Sequence, residues 1–323
     1  IGLAAGFSAI TFYLMLRLTT HLFLGLLVGY KQPEPPGLGG SLRYTIHISR
    51  PWLIPVSTVI GALIVAYLVR EFRESRAGLD RVIEAYHGRK RPFSNPVLHS
   101  FMNVVLSAIT IGSGGSAGPE APTGNFGGGL SYFIAERLGL SDEDRALAMM
   151  VGAGAALGAI FKAPIGGVLL AAELPYRRDI EVKALYPAAI ASVIAYTLFY
   201  LVTGFKPYLG QVVTVVPIQS MPLYAVLGLV DGAVAITYIE SLDLFGRLFS
   251  RLRVGDTVKA AIGGLLVGLI GLVAPQALSS GEGWINPAIY ARLSAFASPV
   301  VPLIILLALL PIIKILSTSI TLG

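Results

Sequence analysis

Cysteine is absent from the 323 residues, which excludes disulfide frameworks, cysteine zinc sites and thiol nucleophiles. Histidine is scarce, and His21, His47, His87 and His99 show no metal-ligand spacing, so no metal or other cofactor is expected. Charge is scarce too: 13% of residues are charged, about half the usual share in a soluble domain, which argues against a soluble enzyme. What remains is 54% hydrophobic with a mean hydropathy of +0.74. It is arranged in about nine apolar stretches of roughly 17–25 residues, the length that crosses a bilayer as a helix and too long for a barrel strand. Helices and closed barrels are the only structures that span lipid. The expectation is therefore an all-α, polytopic, integral membrane protein, placed in the cell membrane. Ile1 already lies in an apolar run without a basic leader or cleavage site, so further residues are expected ahead of it.

The net charge of +6 does not point to nucleic acid, because the basic residues sit in short loops between apolar spans. Fourteen of the 24 Lys and Arg lie in three places, Arg70 to Arg91, Arg177 to Lys183 and Arg247 to Lys259. Such enrichment marks cytoplasmic loops. Apolar spans at 1–30 and 52–69 precede the first cluster, and spans at 184–204 and 222–240 separate the second from the third. The Pro- and Gly-rich segment 31–51 and the stretch 205–220 then become outside loops.

Between the first two clusters, apolar runs at 96–111, 122–138 and 146–174 are broken by Gly and Pro rather than by charged loops. Eight of the eighteen residues from Gly112 to Gly129 are glycine. Non-helical backbone at membrane depth survives only where protein or an aqueous cavity surrounds it, which locates the functional centre. An internal repeat supports this. Gly2 to Tyr13 resembles Gly228 to Ile239, Ile60 to Val65 resembles Ile262 to Val267, and Ala108 to Gly112 resembles Ser319 to Gly323. The three matches keep their order, as two diverged structural repeats would. The chain divides into a first membrane repeat at 1–204 and an incomplete second at 205–323, in one transmembrane domain. By the length of the first copy, about 90–100 further residues are expected after Gly323. Inverted repeats with broken helices meeting near the midplane are a recurrent transporter construction.

The break reads GSGGSAGPEAPTGNFGG, Gly112 to Gly128. A Gly-rich turn entering a helix aims backbone N–H groups and the positive end of the helix dipole at one spot, an anion site. Glu120 sits at that spot, where its carboxylate competes with a mobile anion. A nucleotide reading fails: no strand precedes the loop, no acidic ribose ligand follows in a βαβ unit, and there is no Gly-Lys-Ser/Thr.

These residues resemble the CLC family of chloride channels and chloride/proton exchangers. The chain has the family's Gly-x-Glu-x-Pro helix start at Gly118 to Pro122, its small-residue stretch with Phe-x-Ala-Pro over Met149 to Glu173, and the segment Lys314 to Gly323. In the family that last segment runs directly into a Gly-x-Phe-x-Pro anion segment. The resemblance covers nearly the whole chain. It implies an inverted-repeat fold with broken and re-entrant helices, and a homodimer with one ion pathway per subunit. It also makes Glu120 the gating glutamate, which blocks the outer anion position and swings away when protonated or displaced. Gly118 and Ala121 would offer N–H groups to the anion, and Ala77 and Gly78 would fall at the family's inner anion segment.

Three departures accompany the resemblance. Pro119 stands where the family usually has arginine, and proline has no N–H to donate. Ala77 occupies the family's serine position at the inner mouth. Leu174 replaces the inner glutamate of the exchangers, leaving Glu173 as the nearest inner proton or vestibule residue, or as an ion-pair partner of Arg177 or Arg178. Asp231, Glu240 and Asp243 either line a vestibule or pair with loop arginines and water. The expected function is passage of chloride or a similar small monovalent anion past helix N-termini, whose partial charges release it readily. Proton exchange through Glu120 is the first reading, a voltage- or pH-gated passive channel the alternative, and a membrane-embedded enzyme the remote one. An enzyme needs a general acid or nucleophile beside the anion, and only Glu120 stands there in the sequence.

Overall fold

In lipid a backbone N–H or carbonyl finds no water, so the apolar runs close their hydrogen bonds internally as helices. The computed structural model describes residues 1–40, 46–72, 79–88, 95–210, 217–290, 292–296 and 302–323. Among them the elements are α1 (Gly2–Thr20), continued as a π-helix over His21–Val28, α2 (Ile54–Phe72), α3 (Asp80–Gly88) and α4 (Pro96–Gly112). Next come α5 (Glu120–Arg137), α6 (Asp142–Ile160), α7 (Pro164–Glu173) and α8 (Val182–Thr203). The chain then forms α9 (Met221–Arg251), α10 (Asp256–Val273), α11 (Ile285–Ile289) and α12 (Leu303–Leu322). Six helical stretches among the described residues are long and apolar enough to cross a membrane. The broken runs become α4 to α7, too short, polar or interrupted to be read as simple spans.

Local sequence sets these boundaries. Asn95 caps α4 by accepting the Leu98 N–H at 3.2 Å, with Pro96 in the first turn. Ser141 caps α6 by accepting the Asp144 N–H at 3.2 Å, and Asp142, Glu143 and Asp144 place negative charge at the positive end of the helix dipole. The α9 helix runs past the expected end at 240 to Arg251. Glu240, Asp243, Arg247 and Arg251 are spaced three or four apart and continue one helical stripe beyond the apolar part. At about 1.5 Å per residue, α9 exceeds the hydrocarbon thickness.

The charged loops collect at one end. His87 Nε2 donates to the Pro175 carbonyl at 2.6 Å, and the Tyr86 hydroxyl donates to Glu181, so α3 docks on the second basic cluster. Arg70 shares a cavity of about 660 Å³ with Asp256 and Lys259 of the third. At the other end the Gly37 N–H donates to the Tyr208 carbonyl at 3.2 Å. Lys162 Nζ donates there to the Gly204 and Lys206 carbonyls at 2.7 and 3.2 Å. This is the two-sided arrangement that the distribution of Lys and Arg implies.

The matched helices of the two repeats face each other. A Cβ on Gly264 would lie 2.8 Å from the Thr58 carbonyl, and one on Gly268 would lie 2.4 Å from Pro55 Cα. Rising numbers on α10 meet falling numbers on α2, so the two helices are antiparallel, as an inverted repeat requires.

Packing elsewhere rests on small residues, because lipid supplies little hydrophobic drive between helices. From Ala148 to Ile160 every residue of α6 is buried. Phe12, Ala155, Ala159, Ala188, Ala195 and Phe199 join α1, α6 and α8 in one cluster. A Cβ on Gly127 would stand 2.6 Å from the Gly152 carbonyl oxygen and 2.5 Å from Ala156 Cβ. Gly127→Leu is expected to force α5 from α6 and to destabilise the protein by about 1–3 kcal/mol. A lowered thermal midpoint in detergent checks this, and an unchanged midpoint would contradict it.

Candidate functional site

The break between α4 and α5 exists because its backbone adopts shapes closed to other residues and because side chains replace its missing helix bonds. Gly114 has φ of +114°, a region that only glycine enters without strain. The Ser57 hydroxyl of α2 donates to the Ser113 carbonyl at 2.9 Å. The Ser279 N–H donates to the Gly114 carbonyl at 3.2 Å, and the Ser279 hydroxyl to the Ile111 carbonyl at 2.7 Å. From α12, Thr321 Oγ1 accepts the Ser116 N–H at 3.0 Å, and Thr318 Oγ1 shares a 2.8 Å hydrogen bond with Ser116 Oγ. Helix α12 is thus tied to the loop between α4 and α5. Irregular backbone survives at this depth because protein satisfies it.

Glu120 is the first residue of α5, after Pro119, and no side chain caps that helix end. A helix start leaves its first N–H groups unbonded. Here Pro119 and Pro122 have none, so Gly118, Glu120 and Ala121 supply the donors. The Glu120 carboxylate folds back over Gly118: a Cβ added there would lie 1.9 Å from Oε2 and 2.7 Å from Oε1. Glycine at 118 is therefore the condition for the carboxylate to rest at its own helix N-terminus. Glu120 is exposed while Pro122 to Gly129 behind it are buried, so the acid stands at the mouth of a closed helix.

Residues distant in sequence complete this mouth. The Tyr208 hydroxyl donates to Glu282 Oε2 at 2.5 Å, and its ring packs edge-on against Phe161 at 5.8 Å. Lys314 of α12 donates to the Ala277 and Ser279 carbonyls at 3.2 and 2.6 Å. These bonds help hold Ser279 in a left-handed conformation, φ 54°, that residues with a side chain seldom adopt. Burial raises the Glu282 carboxyl to about 6, and the charge of Glu120 adds to the rise; the Tyr208 hydroxyl and the Lys314 ammonium oppose it. Burial also raises the Tyr208 hydroxyl, reinforced by the charge of Glu282 and then of Glu120. Glu120 and Glu282 thus stand within electrostatic reach of one another. The loop before α11 folds back onto the break through the Ser279 hydrogen bonds.

The inner residues are placed differently. Ala77 and Gly78 lie outside the described residues, but Leu79 beside them reaches α5, its Cδ2 lying 2.8 Å from where a Gly124 Cβ would be. Glu173 ends α7 and is exposed. No ion pair joins it to Arg177 or Arg178 among the described residues. Asp231, Glu240 and Asp243 are exposed on α9, a helix with no buried residue. No group of acidic and histidine residues suited to a metal ion occurs among the described residues.

Sequence reasoning missed Glu282, Tyr208 and Lys314. Lys314 carried a signal, as the one charged residue of α12, since an ionisable group in an apolar span is functional by default.

Known proteins match this architecture. The chain is 28% identical over 272 residues to an uncharacterised protein of Methanocaldococcus jannaschii, covering 84% of this chain and 65% of that one. It is 32% identical over 184 residues to the H(+)/Cl(-) exchange transporter ClcA of Salmonella arizonae, covering 53% of this chain and 38% of that one. The chain thus spans less than two thirds of the length of either relative. A slow cyanobacterial Cl-/H+ antiporter superposes with a TM-score of 0.72 at 17% identity, over 99% of this chain and 73% of that one. A CLC-type fluoride/proton antiporter gives 0.72 at 20% identity, over 100% and 74%. The voltage gated chloride channel family matches residues 61–323, a stretch that includes the glycine break, Glu120 and the closing helix α12, and the chain belongs to that family.

Proposed function

We propose that this integral membrane protein carries chloride, or a similar small monovalent anion, across the cell membrane in exchange for protons, with Glu120 as gate and proton acceptor. One observation carries the reading: the Glu120 carboxylate rests over Gly118 at the uncapped N-terminus of α5. There it takes the place a mobile anion would occupy. Protonation removes its charge and with it the attraction to the positive end of the helix dipole, which frees the position. Gly118 and Ala121 then face the anion with partial charges, which bind weakly enough for release. On the inner side, the family resemblance assigns Ala77 and Gly78 to the anion path, and Glu173, exposed at the end of α7, is the proton exit in place of the glutamate that Leu174 replaces. The protein acts as a homodimer with one pathway per subunit, carries out no enzymatic step and needs no cofactor.

The relatives named as chloride/proton exchangers support exchange over a passive channel. Uptake of radiolabelled chloride into liposomes containing the full-length protein tests the transport reading. Uptake above that of protein-free liposomes is expected. Its absence with folded protein would overturn the choice of anion, and fluoride would be tried next.

A further inference from the structure

Arg17 is the only charged residue between Ile1 and Tyr30, within the helical stretch Gly2–Val28, which is long and apolar enough to cross the membrane. A charge in such a place is costly unless something answers it. The Arg17 guanidinium donates to the Tyr13 hydroxyl at 3.0 Å and stands 5.6 Å from the centre of that ring. Among the described residues no carboxylate lies within ion-pair distance of it, so it has donors to spare. It lines a cavity of about 740 Å³ together with Lys31, Glu34 and Glu282. The opposite wall is firmly held. After the π-helix the chain returns along α1, where the Tyr13 hydroxyl donates to the Leu38 carbonyl at 3.3 Å. The Gly37 N–H donates to the Tyr208 carbonyl at 3.2 Å, and a Cβ on Gly283 would lie 1.8 Å from the Pro33 carbonyl oxygen. Leu18 and Leu26 line the same cavity, and each is more than half exposed. On a membrane-crossing stretch such side chains meet lipid, so the cavity opens sideways into the bilayer. Two cations and two carboxylates thus stand beside an apolar doorway.

We propose that this cavity binds the headgroup of a phospholipid carrying a primary ammonium. The phosphate sits on Arg17 and Lys31, the ammonium on Glu34 and Glu282, and an acyl chain leaves past Leu18 and Leu26. Arginine suits the phosphate because its planar fork presents several donors to one group of oxygens. The ammonium sets the preference among headgroups. A glycerol headgroup brings no positive charge to the carboxylates, and the quaternary nitrogen of choline has no N–H to donate. The proposal does not depend on the reading of Glu120 as the gate.

Native mass spectrometry reads which lipid stays bound when the full-length protein is released from micelles holding equal amounts of dioleoyl phosphatidylethanolamine, phosphatidylglycerol and phosphatidylcholine. The ethanolamine lipid is expected to exceed each of the others about two- to fivefold, the effect that one solvent-accessible charge pair supplies. Glu34→Gln removes a partner of the ammonium outside the membrane span and is expected to bring phosphatidylglycerol level with it or above. Arg17→Gln and Lys31→Gln are each expected to lower retention of all three. Equal retention of the three lipids by the wild type, or an ethanolamine preference that Glu34→Gln leaves unchanged, would overturn the proposal. O-phosphoethanolamine, the headgroup without chains, is expected to leave the thermal midpoint of the wild type unchanged at concentrations where the lipid raises it. An equal rise would assign the cavity to a soluble zwitterion and overturn the lipid as its occupant.

Discussion

Glu120→Gln is expected to leave anions moving and to stop protons. Glutamine keeps the length and hydrogen-bonding shape of glutamate but carries no charge and takes up no proton near neutral pH. Because Glu120 is exposed at the first turn of α5, the exchange opens no cavity and leaves no buried group unpaired, so the fold should persist. The variant fixes the state that protonation reaches only transiently. Proton movement should fall by at least about 10²-fold, the scale on which a positioned acid–base group acts. Anion flux should lose its dependence on outer pH. Proton movement equal to that of the wild type would remove Glu120 from the mechanism.

Gly118→Ala addresses the same carboxylate from the other side. The added methyl would occupy the space of Glu120 Oε2, 1.9 Å away, so one of the two must move. The carboxylate is the far end of a flexible side chain and Gly118 is not among the residues with positive φ, so the side chain yields while the backbone stays. Displaced from its helix N-terminus, Glu120 no longer competes with the anion. Anion flux should rise several-fold at neutral pH, and fewer protons should move per anion. A folded variant with wild-type flux and stoichiometry would show that the resting place over Gly118 has no part in gating.

The sequence is informative here in proportion to how local each feature is. The antiparallel pairing of α2 and α10 is foreshadowed by the match of Ile60 to Val65 with Ile262 to Val267, and the position of the break by its glycines. The anion-facing end of α5 is legible because Gly118, Glu120 and Pro122 are neighbours in the chain. Glu282 is not, since its environment comes from Tyr208, Lys314 and Glu120, each remote in sequence, and the two glycines around it read only as a turn. Likewise, the hydroxyls of Thr318 and Thr321 give no hint of Ser116, about 200 residues earlier. The surroundings of Glu173 are illegible for a related reason. An acid at a helix end is buried or exposed according to what packs beside it, which spacing does not encode.

The most direct test of coupled exchange is to load liposomes containing the full-length wild-type protein with chloride, dilute them into low chloride at equal pH, and record both ions together. The account predicts that chloride leaving down its gradient draws protons inward, acidifying the lumen uphill with no imposed pH difference. Chloride release without proton uptake, with voltage clamped by a potassium ionophore, would contradict it and make the protein a passive channel.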